Sequence, residues 1–327
     1  MNFSLRVIAV ATLACVNVAH AQTPSTGSAQ SFPVKPIRLI VPFPPGGGTD
    51  ATARILTQAL AETAGWQIVV ENRAGATGRI GTELAAKAAP DGYTLLLGTA
   101  GPNVILPATS AKLPYDTIKD FAPISLIDSA DYALVVHPSM PVRTVKDLIT
   151  AAQNRPGQIA FASAGNLSVA HLAGEFFRQQ ARIDIVHVPY KGGGPAVIAT
   201  LSGETAIYFG GPSVVQQSKA GKLRALATTG AKRSKIFPEL PAIAEALPGY
   251  AISQWVGLLA PAHTSRDIVS LLHTTMVKAV NSPKVTQQFA AAGSQPVANS
   301  PDEFAAHIKS EIAKWSKVTK GFKVVLD

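Results

Sequence analysis

Phe43-Pro44-Pro45-Gly46-Gly47-Gly48-Thr49-Asp50 follows an extended apolar run, Ile37–Val41, and precedes residues 51–62, whose apolar spacing is helical. Three glycines therefore sit at a strand-to-helix turn. There the backbone turns sharply with no Cβ in the way, and the helix behind it offers unpaired N–H groups at the positive end of its dipole. Such a turn binds anions. Taken alone, the plainer reading is a tight turn capped by Thr49 or Asp50, with Asp50 only secondarily a partner for a cationic ligand group. Repetition shifts the balance, because open α/β folds bind ligands outside the carboxyl ends of their strands.

Outward from this turn the chain alternates. Strand Ile37–Val41, helix 51–62, strand 67–71, helix 80–88, the Pro90-Asp91-Gly92 turn and strand 93–98 form a βαβαβ series, the pattern of a parallel sheet with covering helices. Asn72 to Gly78 is a second glycine-rich junction, flanked by Arg73 and Arg79, and Thr99-Ala100-Gly101 closes the third strand. After an irregular stretch, 102–120, strands at 124–127 and Ala133–Val136 open a second series. Thr144 with Asp147 has capping-box spacing for a helix to Asn154. Strand 159–162 then runs into Ser163-Ala164-Gly165-Asn166-Leu167-Ser168 and a helix to Gln180, with Ser168 as its cap. Strand 185–188 runs into Pro189-Tyr190-Lys191-Gly192-Gly193-Gly194, with Pro195 placed as the first residue of a helix. Strand 206–209 meets Gly210-Gly211-Pro212-Ser213 and a helix to Ala220. Strand 255–261 returns to the first series, and terminal helices open at Thr264 with Asp267 and at Ser300 with Glu303. The expectation is two facing α/β lobes, residues 32–124 with 254–327 and residues 125–253, joined by two strands.

At 327 residues, 47% hydrophobic and 15% charged, the chain is long enough for two domains and a large core. Met1 to Ala21 reads as a secretory leader: Arg6 is its basic region, 7–18 its apolar run, and Ala19-His20-Ala21 its small-x-small cleavage site. Export to the periplasm with cleavage after Ala21 is expected. Cys15 lies in a poor lipobox, with Leu13 one position late, so no lipid anchor is expected. The mature chain then has no cysteine, which excludes disulfides and thiolate chemistry. Loss of Arg6 lowers the net charge of +9 by one, to +8. The one dense basic cluster, Lys232-Arg233-Ser234-Lys235, has no aromatic ladder beside it. A diffuse field that draws in small anions fits better than nucleic-acid binding.

Lys35-Pro36-Ile37-Arg38 through Asp50, Val70-Glu71-Asn72-Arg73-Ala74-Gly75, Pro90-Asp91-Gly92-Tyr93-Thr94, Leu113-Pro114-Tyr115-Asp116, Asp120-Phe121-Ala122-Pro123, His171-Leu172-Ala173-Gly174-Glu175, His187-Val188-Pro189-Tyr190-Lys191-Gly192 and Gly257-Leu258-Leu259-Ala260-Pro261 occur in this order. Together they resemble the Bug family, the extracytoplasmic solute receptors of tripartite tricarboxylate transporters, over essentially the whole mature chain. The resemblance implies an α/β type II periplasmic binding protein, two α/β lobes joined by a two-strand hinge, closing on a small carboxylate. It implies a monomer without cofactor or metal, whose partners are the membrane permease subunits or a sensor protein. Carried over, the ligand contacts are Phe43, Gly46, Gly47, Gly48, Thr49 and Asp50 with Thr99 and Ala100 on one side. On the other are Ser163, Ala164, Gly165, Asn166 and Ser168 with Tyr190, Lys191 and Gly192. Two departures stand out: Gly210-Gly211 where the family pattern has an acidic or bulkier residue, and the polar Ser129-Ala130-Asp131-Tyr132.

The alternative is an exported α/β enzyme acting on a carboxylate. No Walker, dinucleotide, nucleophile-elbow or zincin motif is present. Ser168 with His171 reads as a cap and a packed side chain, and Tyr190-Lys191 as a turn that contacts an anion. The ligand carboxylate is expected to be met chiefly by helix-start amides at 46–50 and 164–168, not by an arginine clamp.

Overall fold

Ile37, Leu39, Ile40 and Val41 are all buried, as befits a parallel strand with a neighbour on either side. This strand, β1 (Ile37–Val41), pairs in parallel with β2 (Ile68–Asn72) and β3 (Thr94–Thr99), while α1 (Gly48–Ala64) and α2 (Arg79–Ala86) make the crossovers. The computed structural model describes residues 32–110 and 112–321, and those from Lys35 on fall into one compact unit. The leader, its cleavage site and Cys15 lie outside the described residues.

After β3 come a π turn, Gly101–Ile105, and the short α3 (Leu106–Thr109). Strand β4 (Phe121–Asp131) belongs to the first sheet along its whole length, and a single residue, Tyr132, separates it from β5 (Ala133–Val136) of the second. The second series then runs α4 (Val145–Gln153), β6 (Ala160–Ser163), α5 (Val169–Ala181), β7 (Val186–Pro189), α6 (Gly193–Leu201), β8 (Ile207–Gly210), α7 (Ser213–Lys219) and β9 (Arg224–Thr228). Strand β10 (Ser253–Pro261) returns to the first sheet, followed by α8 (Arg266–Val280), α9 (Pro283–Ala292), β11 (Gln295–Pro296) and α10 (Pro301–Val318). The two sheets are ordered β11-β4-β10-β3-β1-β2 and β7-β6-β8-β5-β9. Each is mixed: β10 runs antiparallel to β3 and β4, and β5 antiparallel to β8 and β9.

Both capping boxes read from sequence at Thr144 and Ser300 form, and Ser168 caps α5. Two expectations are corrected. Ser265, not Thr264, caps α8, because the Thr264 hydroxyl donates back to the Pro261 carbonyl. Pro195 is the third residue of α6, since the flexible glycines before it already adopt helical geometry.

Glycine at 257 is a packing requirement. A Cβ there would lie 2.2 Å from the ring of Phe304, which is fully buried. Gly257→Ala should therefore cost about 1–3 kcal/mol of overpacking, read as a lower urea midpoint at unchanged m value.

Candidate functional site

Asp50 is the third residue of α1, and Gly47, at the cap position, supplies no side chain to the helix start. Its buried carboxylate is spent inside the protein. Oδ2 accepts from the Gly46 N–H at 3.0 Å and Arg54 Nε at 2.9 Å, and Oδ1 accepts from Asn72 at 3.1 Å and from the second Arg54 nitrogen at 3.3 Å. The Arg54 guanidinium foremost, then the Gly46 amide, hold its pKa down to about 2. This corrects the sequence reading of Asp50 as a cap of its own helix. It pins a loop in which Gly46, at φ +84°, takes the left-handed conformation. Gly46, Gly47 and Gly48 are exposed, Thr49 is buried, and the Gly46 amide is consumed by Asp50. Phe43 is half-buried: its carbonyl accepts from Asn72, and its ring limits the space at Gly78. Thr99 and Ala100 are buried, and Thr99 Oγ1 has no hydrogen-bond partner.

On the second sheet, the Tyr190 amide donates to the Ser163 carbonyl at 3.0 Å, which brings the 163–168 and 190–192 loops side by side. Ser163 is fully buried and its hydroxyl braces the loop, donating to the Gly165 carbonyl, accepting from the Gly165 amide and lying 2.6 Å from His187 Nε2. His187 stacks on His171 with ring centroids 3.9 Å apart. His171 Nδ1 accepts the Leu167 amide, so its proton sits on Nε2. Within 164–168 the amides of Gly165, Leu167 and Ser168 are thus engaged inside the loop. The Tyr190 hydroxyl donates to Glu204. Gly192, at φ +111°, precedes an α6 start that no side chain caps.

A cavity of about 560 Å³ lies where the loops of the two sheets face each other. Of the residues named from sequence it gathers Gly165, Asn166, Tyr190 and Lys191; the others do not line it. It adds Thr77, Arg79, Ser110 and Lys112, for which the only sequence signal was the second glycine-rich junction and its flanking arginine. No acidic side chain lines the cavity, and Arg79, Lys112 and Lys191 enter none of the ion pairs formed among the described residues. Arg73, by contrast, turns away to pair with Glu71. Ala76, Thr77 and Leu167, non-glycine residues at φ +46°, +57° and +59°, all line the cavity, a clustering of backbone strain that marks functional sites.

A smaller cavity of about 160 Å³ lies between Gly48 and Thr52 of α1, Asp128 of β4, Gln254 of β10 and Gly211. Gly211, one of the two glycines in the departure from the family pattern, opens toward Tyr132, and a Cβ there would meet nothing nearer than 4.0 Å.

Residues 52–323 match the tripartite tricarboxylate transporter family receptor, TctC. The chain belongs to this family. Protein BugT of Bordetella pertussis (strain Tohama I) is 39% identical over 306 residues, covering 93% of this chain and 94% of BugT. Among solved structures, R. palustris Rpa4515 with adipate is 35% identical, with a TM-score of 0.78, over 88% of this chain and 97% of that one. MatC from Rhodopseudomonas palustris with bound malate is 30% identical, with a TM-score of 0.74, over 88% and 99%. This TctC-family receptor is built of two α/β lobes, one around each sheet. Among its described residues, no helix is long and apolar enough to cross a membrane, and no three His, Cys, Asp or Glu side chains gather to hold a metal.

The histidine stack sets an acid limit on this receptor. Burial pushes His187 down to about 4, and burial together with the His187 and Arg178 charges pushes His171 down to about 3. Unfolded histidines protonate near about 6.5, so the stability held above that pH is lost as the pH falls toward 4. Asp128 acts oppositely: burial raises it to about 6, so the stability it adds at low pH is lost as pH rises through 6. Burial also pushes His307 down and Asp131 up, so with three histidines against two carboxylates the urea midpoint should fall from about pH 6.5 to about pH 5, less steeply in His187→Gln. A midpoint that is flat or rising on acidification contradicts this.

Proposed function

We propose that this receptor captures a small organic acid between its two lobes and delivers it to the membrane permease subunits of a tripartite tricarboxylate transporter or to a sensor protein. The observation that carries the reading is the 560 Å³ cavity, lined by Arg79, Lys112 and Lys191 and by no carboxylate. These cations draw the acid into the cleft, where the uncapped starts of α1 and α6 hold its carboxylate. Sequence pointed chiefly to amides, with Lys191 beside them; Arg79 and Lys112 add charge to that cradle. Adipate in Rpa4515 and malate in MatC support a carboxylate as ligand. The mature protein is a periplasmic monomer, cleaved after Ala21. Lobe 1, expected over 32–124 with 254–327, keeps β4 as far as Asp131, so the chain crosses between sheets at Tyr132 and again at Ile252, where the lobes hinge shut on the ligand.

An enzymatic reading would start from Ser163 and His187, 2.6 Å apart. Against it, Ser163 is fully buried and His187 stacks on aromatic rings, with no carboxylate to orient it. The protein is a receptor and not an enzyme. The test is a thermal-shift screen with mono-, di- and tricarboxylates, followed by recovery of the best binder: a raised midpoint with the acid recovered unchanged is expected. Conversion of the acid would overturn the reading. Arg79→Ala and Lys191→Ala should each weaken that binder by about 1–2 kcal/mol, and more at low salt than at high, since these cations are solvent-facing.

A further inference from the structure

Asp128 is 5% exposed, in the smaller cavity. Its two hydrogen bonds, from the hydroxyls of Thr52 at 2.9 Å and Ser294 at 3.2 Å, both reach Oδ2. Oδ1 accepts none among the described residues, and no Lys, Arg or His pairs with this carboxylate. A buried carboxylate with an idle oxygen and no counter-cation is costly unless something else supplies the charge. Burial raises it to about 6, so near neutral pH it remains mostly ionised and unpaired. Asp50, the other buried acid at α1, shows the contrast, since an arginine and two further donors occupy it.

What fills the cavity must therefore offer hydrogen-bond donors and positive charge. A second acceptor points the same way: Gln254 Oε1 takes only the Tyr132 hydroxyl, at 2.9 Å. Ile55, Val256 and Phe289 complete the lining with apolar surface, which suits an ammonium on a methylene stem better than a hydrated metal ion. Gly48, the first residue of the uncapped α1, lines the same cavity and holds the anion-binding end one helical turn, roughly 6 Å, from Thr52.

We propose that the acid this receptor takes also carries a primary ammonium, seated on Asp128, with its carboxylate toward the start of α1: a short ω-amino acid. This rests on the receptor reading above and narrows it. It also gives the polar stretch Ser129 to Tyr132, beside Asp128, a place at the cavity wall, through Ala130 and Tyr132.

Calorimetry on the mature protein tests it with matched pairs of equal methylene count: 3-aminopropanoate against succinate, 4-aminobutanoate against glutarate, 5-aminopentanoate against adipate. At least one amino acid should bind roughly tenfold or more tighter than its dicarboxylate partner. Asp128→Asn should remove that preference. If every dicarboxylate binds as tightly as its amino partner or tighter, the inference is wrong and the receptor reading stands. If none of the six binds, the inference is wrong, and the thermal-shift screen with mono-, di- and tricarboxylates decides the receptor reading separately. The wild-type comparison is decisive even if the variant does not fold.

Discussion

Thr229 ties together the two places where the chain passes between sheets. Its hydroxyl accepts the Tyr132 amide at 2.8 Å, its own amide donates to the Tyr132 carbonyl at 2.8 Å, and its carbonyl accepts the Ile252 amide at 2.8 Å. Beside it the Ser253 hydroxyl donates to Asp131 at 2.7 Å. Thr229 is fully buried, so these bonds exchange with no water, and leaving any one unmade would cost on the order of 1–3 kcal/mol. The crossover segments are thereby held together while β4 and β10 pair along their length, with register shifts at Val256/Gly257 and Leu258/Leu259. Everything that faces across the cleft inherits its position from that junction. The smaller cavity lies beside it, lined by Tyr132 and Gln254.

Charge in the cleft is segregated. Cations outside every ion pair among the described residues gather at the larger cavity, and an acid without a counter-cation among those residues sits at the smaller one. Asp50 and Arg54, which could have blurred this division, neutralise each other inside the glycine loop. The loop needs that internal pair: its glycines have no side chains to hold a shape, and the carboxylate grips the turn through Gly46, Asn72 and Arg54 together. Shaped walls and solvent-facing charges suit a receptor that binds a small charged solute.

Much of this was legible in the sequence because it is local. Strand β1 matched its predicted bounds residue for residue, since a buried parallel strand is a short apolar run cut off by glycine and proline. Capping boxes at Thr144 and Ser300 are three-residue patterns and were readable for the same reason. Strand β9 was not anticipated: Arg224-Ala225-Leu226-Ala227-Thr228 has neither alternation nor a turn signal strong enough to stand out, and it becomes a strand by pairing with β5. Lys191 was named from sequence, but its grouping with Arg79 and Lys112 was hidden, because the three are far apart in sequence and only the fold converges them. Asp128 carried a signal that went unused, an acid directly after the apolar run 124–127. The engagement of the Ser163 hydroxyl by His187 has no counterpart in one dimension at all.

A crystal structure of the mature protein with its best-binding acid tests the account most directly. The account predicts the ligand between the lobes, a carboxylate oxygen within hydrogen-bonding distance of Arg79, Lys191 or the α1 start, and the two sheets closer than in the free protein. A ligand bound outside the cleft, or inside it with its carboxylate turned away from all three, would contradict it.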